Sequence, residues 1–173
     1  KTNAAQTLDK LTIDAGAETL SISNSGVSTA ATAYTLTSLI ADGAKTINFT
    51  GAGNFATTLN QTGTNVTTTI DASSASGEFT FTELVTNDMT IKGSSGQNTF
   101  VMAGSLNNKD TIIGGASTKD AVSATIGTGT TATTGKFNLT GVETLALTAT
   151  TAETSVVDLS ASTGVTAVTV SSG

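Results

Sequence analysis

The chain has 173 residues and a formal net charge of −6, from 13 Asp and Glu against seven Lys, and it contains no His, Cys, Pro, Trp or Arg. Disulfides, thiolate metal sites and any nucleophile–histidine pair are therefore excluded. A negative chain without Arg lacks the basic patch that nucleic acid or an anionic membrane surface requires, and no apolar run approaches the ~20 residues of a bilayer-spanning helix. Thr is roughly a fifth of the chain, with Ser and Gly each about a tenth. Regularly spaced Ile, Val, Leu and Phe distinguish it from disordered polar sequence, so a folded domain is expected.

Short strand signatures return along the chain. Thr19–Ser23 (TLSIS), Thr46–Thr50 (TINFT), Thr67–Asp71 (TTTID), Met89–Gly93 (MTIKG), Thr111–Gly115 (TIIGG), Thr144–Thr148 (TLALT) and Ala167–Ser171 (AVTVS) share one pattern. They align on Ile22, Phe49, Ile70, Ile91, Ile113, Leu147 and Val170, in steps of 27, 21, 21, 22, 34 and 23 residues. Apolar and small polar residues alternate within each, as in strands with one face inward. Periods of this size mark solenoids, in which one unit buries its apolar side by stacking on the next.

Weaker strands fall between them at Tyr34–Leu39, Ala56–Leu59, Glu78–Leu84, Asn98–Met102, Lys136–Leu139 and Ser155–Leu159. Gly, Ser and Asn corners such as Asn24-Ser25-Gly26, Gly51-Ala52-Gly53 and Gly114-Gly115 separate the strands. Thr37–Ala44 has the spacing of a single helical turn. The long fifth step contains Gly127–Gly135 (GTGTTATTG), read as a loop, and a smaller corner is expected around Ser28–Thr32. The expected fold is all-β: a right-handed parallel β-solenoid (β-helix) of about seven coils, one domain over residues 1–173, cut from a longer protein. Seven coils at ~4.8 Å each give a rod roughly 35 Å long whose ends expose strand edges.

Catalytic chemistry finds little footing. The seven Lys are spread singly, and the acids are scattered, with Glu78 and Glu83 expected on a solvated face. The chain is read as a non-enzyme. Metal binding has more to support it, because two stretches resemble the glycine-rich nonapeptide GGxGxDxUx of calcium-binding β-rolls. Gly93–Val101 (GSSGQNTFV) places Gly93 and Gly96 at the corner and Asn98 in the Asp slot. Asp110–Val122 (DTIIGGASTKDAV) places Gly114 and Gly115 at the corner, with Ser117 and Lys119 ahead of Asp120. Calcium takes six to eight hard oxygens, which glycine corners supply as carbonyls together with one carboxylate per coil. The candidate metal set is Asn98, Asp110, Asp120, Gly93, Gly96 and Gly114. The same corners also pack as plain turns, and both readings stay open at this point.

Thr140–Thr148 (TGVETLALT), Asp110–Val122 and Thr69–Ser74 (TIDASS) resemble phrases of large bacterial surface-layer proteins. These are the repeats-in-toxin-related proteins exported by type I secretion, of the Campylobacter and Caulobacter kind. The resemblance implies an extracellular, cell-surface structural subunit that self-assembles into a lattice or filament, with calcium as its cofactor. Its expected partners are copies of itself and cell-surface polysaccharide, with no nucleic acid and no bilayer insertion. An adhesin segment is the alternative, although Tyr34 is the only Tyr and Trp is absent. Ice binding is a minor alternative: Thr-x-Thr never fills both positions flanking the aligned apolar residues, and Asp71 and Lys92 put charges there.

Overall fold

The computed structural model describes residues 5–13, 16–26, 33–61, 66–84, 87–127, 134–150 and 155–173. Strands β1 (Gln6–Leu8), β2 (Leu11–Ile13) and β3 (Thr19–Ser23) form the first coil, followed by β4 (Tyr34–Ala41) and β5 (Thr46–Gly51) in the second. The third coil holds β6 (Phe55–Leu59) and β7 (Thr69–Ala75), the fourth β8 (Phe79–Glu83) and β9 (Thr90–Lys92), and the fifth β10 (Asn98–Met102) and β11 (Thr111–Ile113). The sixth carries β12 (Ala121–Ile126), β13 (Thr134–Lys136) and β14 (Asn138–Thr140). Beyond it lie β15 (Thr144–Ala149), β16 (Val156–Asp158) and β17 (Ala167–Ser172).

A nine-stranded sheet runs β1-β4-β6-β8-β10-β12-β15-β17, with β2 also on β4, and a six-stranded sheet runs β14-β11-β9-β7-β5-β3. β13 and β16 form a separate pair, and the ladders of all three sheets are parallel. The architecture is a parallel β-solenoid of about six turns, one fewer than the sequence suggested. The miscount has a clear origin. TLALT and AVTVS carry the same alternation as TLSIS, but β15 and β17 belong to the nine-stranded sheet, and the sixth strand of the other sheet is β14.

Register corrects two further alignments. In the six-stranded sheet one inward column reads Leu20, Ile47, Ile70, Ile91, Ile112 and Leu139. Ile112 is fully buried while Ile113 flanks it, a slip of one residue that reverses the faces. Ile70 pairs with Ile47 and not with Phe49, which lies two residues further along β5, where the register shifts between Asn48 and Thr50. Thr37–Ala44 is not helical: β4 continues through Ala41, and a tight turn follows in which the Ala44 amide donates to the Ala41 carbonyl at 3.0 Å. A second irregularity, between Leu36 and Leu39, lets both face inward three residues apart, which mimics helical spacing. Residues 28–32 and 128–133, where a corner and most of a loop were expected, lie outside the described residues.

Inward side chains of both sheets make one core. Phe49, Phe79, Phe81, Phe100 and Phe137 are essentially inaccessible. Phe49 from the six-stranded sheet meets Phe55 and Phe79 of the other, at centroid separations of 5.2 and 5.0 Å. Such tilted and edge-on contacts add to what the buried area contributes.

Candidate functional site

The corner that leads into β10 and β12 gathers most of the candidate metal residues. Gly93, Gly114 and Gly141 stack there, because a Cβ on Gly114 would lie 1.9 Å from the Gly141 carbonyl oxygen. Next along the chain, Gly115 has φ +125°, a backbone state that L side chains rarely adopt, and approaches the Ser94 carbonyl from the coil below. Tight stacking of successive corners therefore demands glycine, with or without a metal.

Asn98, the first residue of β10, stands in one column beside these glycines with Asp120 and Glu143, which lie just ahead of β12 and β15. Asn98 is fully buried. Its backbone amide donates to Asp120 Oδ1 at 2.7 Å, and the Asp120 amide donates to Glu143 Oε2 at 2.8 Å. The Asn98 side-chain nitrogen donates toward Ser94 O, Gly96 O, Gly114 O and Asp120 Oδ1, at 3.1, 2.8, 2.5 and 3.0 Å. Meanwhile Asn98 Oδ1 accepts from the Ser94 amide at 2.7 Å.

The calcium implied by the resemblance can be tested against this arrangement. Three carbonyls and a carboxylate do converge at the Asn98 corner, but they converge on an amide nitrogen. That nitrogen occupies the point a cation would need, so the residues present do not fit calcium there. Asp110 is absent from the cluster. It sits at the far end of β11 from Gly114, accepting from the Met89 amide at 2.9 Å and the Asn107 amide at 2.8 Å. Among the described residues no three Asp or Glu side chains come close enough to share a metal ion. Thus Gly93, Gly96, Gly114, Asn98 and Asp120 are brought together and Asp110 is not. Glu143 joins the column unforeseen, although it precedes β15 as Asp120 precedes β12.

Asp120 differs from Asn98 in one atom with a consequence. Its Oδ2 is buried without a hydrogen-bond partner and lies beside Gly114 and the Gly141 carbonyl. Burial raises its pKa against the Asn98 hydrogen bonds, and the Glu143 charge raises it further. An amide at this position would remove the buried charge and its repulsion with Glu143, while its Oδ1 kept accepting from the Asn98 N–H groups. Asp120→Asn is therefore expected to stabilise the fold by ~1 kcal/mol at neutral pH, read as a higher midpoint in thermal or urea unfolding.

A second acidic site lies inside the solenoid. Glu83 was expected on a solvated face, but it continues the inward column of Phe79 and Phe81 and is fully buried. Ser105 Oγ donates to its Oε2 at 2.8 Å, and Oε1 has no partner. Burial pushes the carboxyl up to about 8, the Ser105 hydrogen bond opposes this, and Asp110 adds to it. Burial also raises Asp110, with its two backbone donors opposing.

The outer faces differ sharply. On the six-stranded sheet Thr19, Thr46, Thr69, Thr90 and Thr111 stack in one column, ending on Asn138. Beside it runs Ser21-Asn48-Asp71-Lys92-Ile113-Thr140, with a 2.9 Å ion pair between Lys92 and Asp71. A hollow of about 300 Å³ opens there, lined by Ser21, Asn48, Phe49, Thr50, Asp71, Ser73 and Ser74. On the nine-stranded sheet one outward column reads Thr35-Ala56-Thr80-Thr99-Ala121-Thr144-Ala167. Its neighbour reads Thr58-Thr82-Val101-Ser123-Ala146-Thr169. Neither column contains a charge. No family model, curated protein or solved structure matches the chain.

Proposed function

We propose that this chain is a structural module of an exported bacterial surface protein, a self-assembling surface-layer or filament subunit acting at the cell surface. The observation that carries this reading is the charge-free outer face of the nine-stranded sheet, in a chain of net charge −6. Two such faces can approach without desolvating a charge, and their threonine methyls and hydroxyls supply contact and hydrogen bonds. The coil repeat gives the contact a period, as lateral packing in a lattice requires.

Light scattering across a concentration series, followed by electron microscopy, tests the reading. The expected result is particles that grow with concentration, and dispersed protein in a Thr80→Lys, Thr99→Lys double variant. A wild-type chain that stays monomeric at every concentration would sink the proposal.

An adhesin is the second reading, favoured by the hydroxyl- and carboxylate-lined hollow around Asp71, whose chemistry suits a sugar of cell-surface polysaccharide. Saturable glycan binding lost in Asn48→Ala would favour it. The uncharged threonine face also reopens ice binding on the sheet opposite the one where the sequence placed it, and thermal hysteresis by the dispersed protein would select that reading.

A further inference from the structure

Five polar atoms at the Asn98 corner are arranged as a cation site arranges them, except that the central atom belongs to the chain. Nδ2 of Asn98 has two hydrogens to offer and four oxygens within 2.5–3.1 Å. Those oxygens come from two successive corners, through Ser94, Gly96 and Gly114, and from the carboxylate of Asp120. The amide cannot be reversed, since Oδ1 would then face four oxygens and Nδ2 would face the Ser94 N–H that now donates to Oδ1 at 2.7 Å. Burial is complete, so water supplies no alternative partner.

We infer that the Asn98 amide is a built-in replacement for a divalent cation: it ties two stacked corners together, and the corner folds and assembles without metal. The amide carries its partial positive charge on a fixed side chain, which removes dependence on ion concentration that a bound metal would bring through mass action. Replacing the nitrogen by a carboxylate oxygen reverses the situation. Carbonyls of Ser94, Gly96 and Gly114 would then surround two carboxylates with no positive group between them, a hard-oxygen set that calcium satisfies and a smaller, more rigidly octahedral magnesium ion satisfies poorly.

Thermal unfolding of the wild-type chain, Asn98→Asp and Asn98→Leu, each in EDTA, in millimolar magnesium and in millimolar calcium, tests this. The wild-type midpoint is expected to be the same in all three. Asn98→Asp is expected to melt well below it in EDTA and in magnesium and to recover in calcium, whereas Asn98→Leu melts low throughout. A wild-type midpoint that rises with calcium, whether through Asp120 or another group, overturns the inference even if neither variant folds. So does an Asn98→Asp protein that calcium leaves unchanged. Because the readout is unfolding and not particle growth, the result is separable from failure of the self-assembly proposal.

Discussion

Glu83→Gln is expected to raise stability above neutral pH and to remove much of the pH dependence of unfolding. The carboxyl titrates near 8 when folded, against an ordinary value of 4.5. Between those values the folded chain holds a proton that the unfolded chain has released, so stability falls as pH rises through the window. Each pH unit there is worth up to about 1.4 kcal/mol, and the whole interval on the order of 5 kcal/mol before local relaxation reduces it. Below about pH 4.5 both states are protonated and the contribution is fully present. Above about 8 it is gone, and a charge is forced into the lumen beside Asp110.

The amide keeps the size of the side chain and the Ser105 contact while removing the titration. At pH 8.5 the variant is expected to melt higher than wild type by about 5–10 °C, from a gain of a few kcal/mol, with little difference at pH 4. Melting midpoints of the two proteins measured from pH 4 to 9 check this. Parallel curves across the range would show that Glu83 is not the group responsible. Asp110 and Asp120, both raised by burial, act in the same direction and leave Glu83→Gln a residual slope.

Glu83 also shows where sequence reading stops. EFTFTEL alternates cleanly, and Phe79, Phe81 and Glu83 share one parity, so the inward position of Glu83 was legible in the pattern itself. The expectation that an acid faces water prevailed over the alternation, because a buried carboxylate is uncommon unless paired. Strand type and parallel stacking were legible because the period near 21–23 residues repeats with glycine corners between. Register was not. Ile112 and Ile113 are both apolar, so composition does not choose between two faces that differ by one residue. The irregularities at Leu36/Leu39 and Asn48/Thr50 change spacing without leaving a glycine or proline to mark them.

Sheet membership was hidden for a related reason. β15 alternates inward and outward residues as β3 does, and only the pairing of β11 with Asn138–Thr140 shows that the solenoid has advanced by part of a turn. At the corner, Gly93, Gly96, Gly114, Asn98 and Asp120 were legible as a group from motif spacing. Asp110 was included because it begins the same phrase, yet β11 separates it from Gly114 along the coil. Whether the centre of the cluster is an ion or an amide depends on one atom of residue 98, and the threonine column on the six-stranded sheet emerged only once the true register was known.

Phe79→Ala is expected to be the most damaging truncation in the core. Phe79 is fully buried and contacts Phe49, Phe81 and Phe100, with ring centroids 5.0, 6.2 and 6.4 Å away. It lies between Phe55 below and Asn98 above in its column, where the interior changes from aromatic to polar. Those flanking coils are fixed by parallel ladders on both sheets, so the backbone has little freedom to collapse into the space left behind. Cavity creation at such a site costs about 3–5 kcal/mol, and lost ring contacts place Phe79 toward the upper end. Phe79→Leu retains much of the volume and is expected to lose roughly half as much. Urea unfolding of both variants checks the order. Because each coil contacts only its neighbours, a loss concentrated here can also split a single transition into two, with the coils before β8 melting apart from those after β10. Hydrogen exchange at the Phe55 and Val122 amides, which lie on opposite sides of the change, distinguishes such local opening from global unfolding.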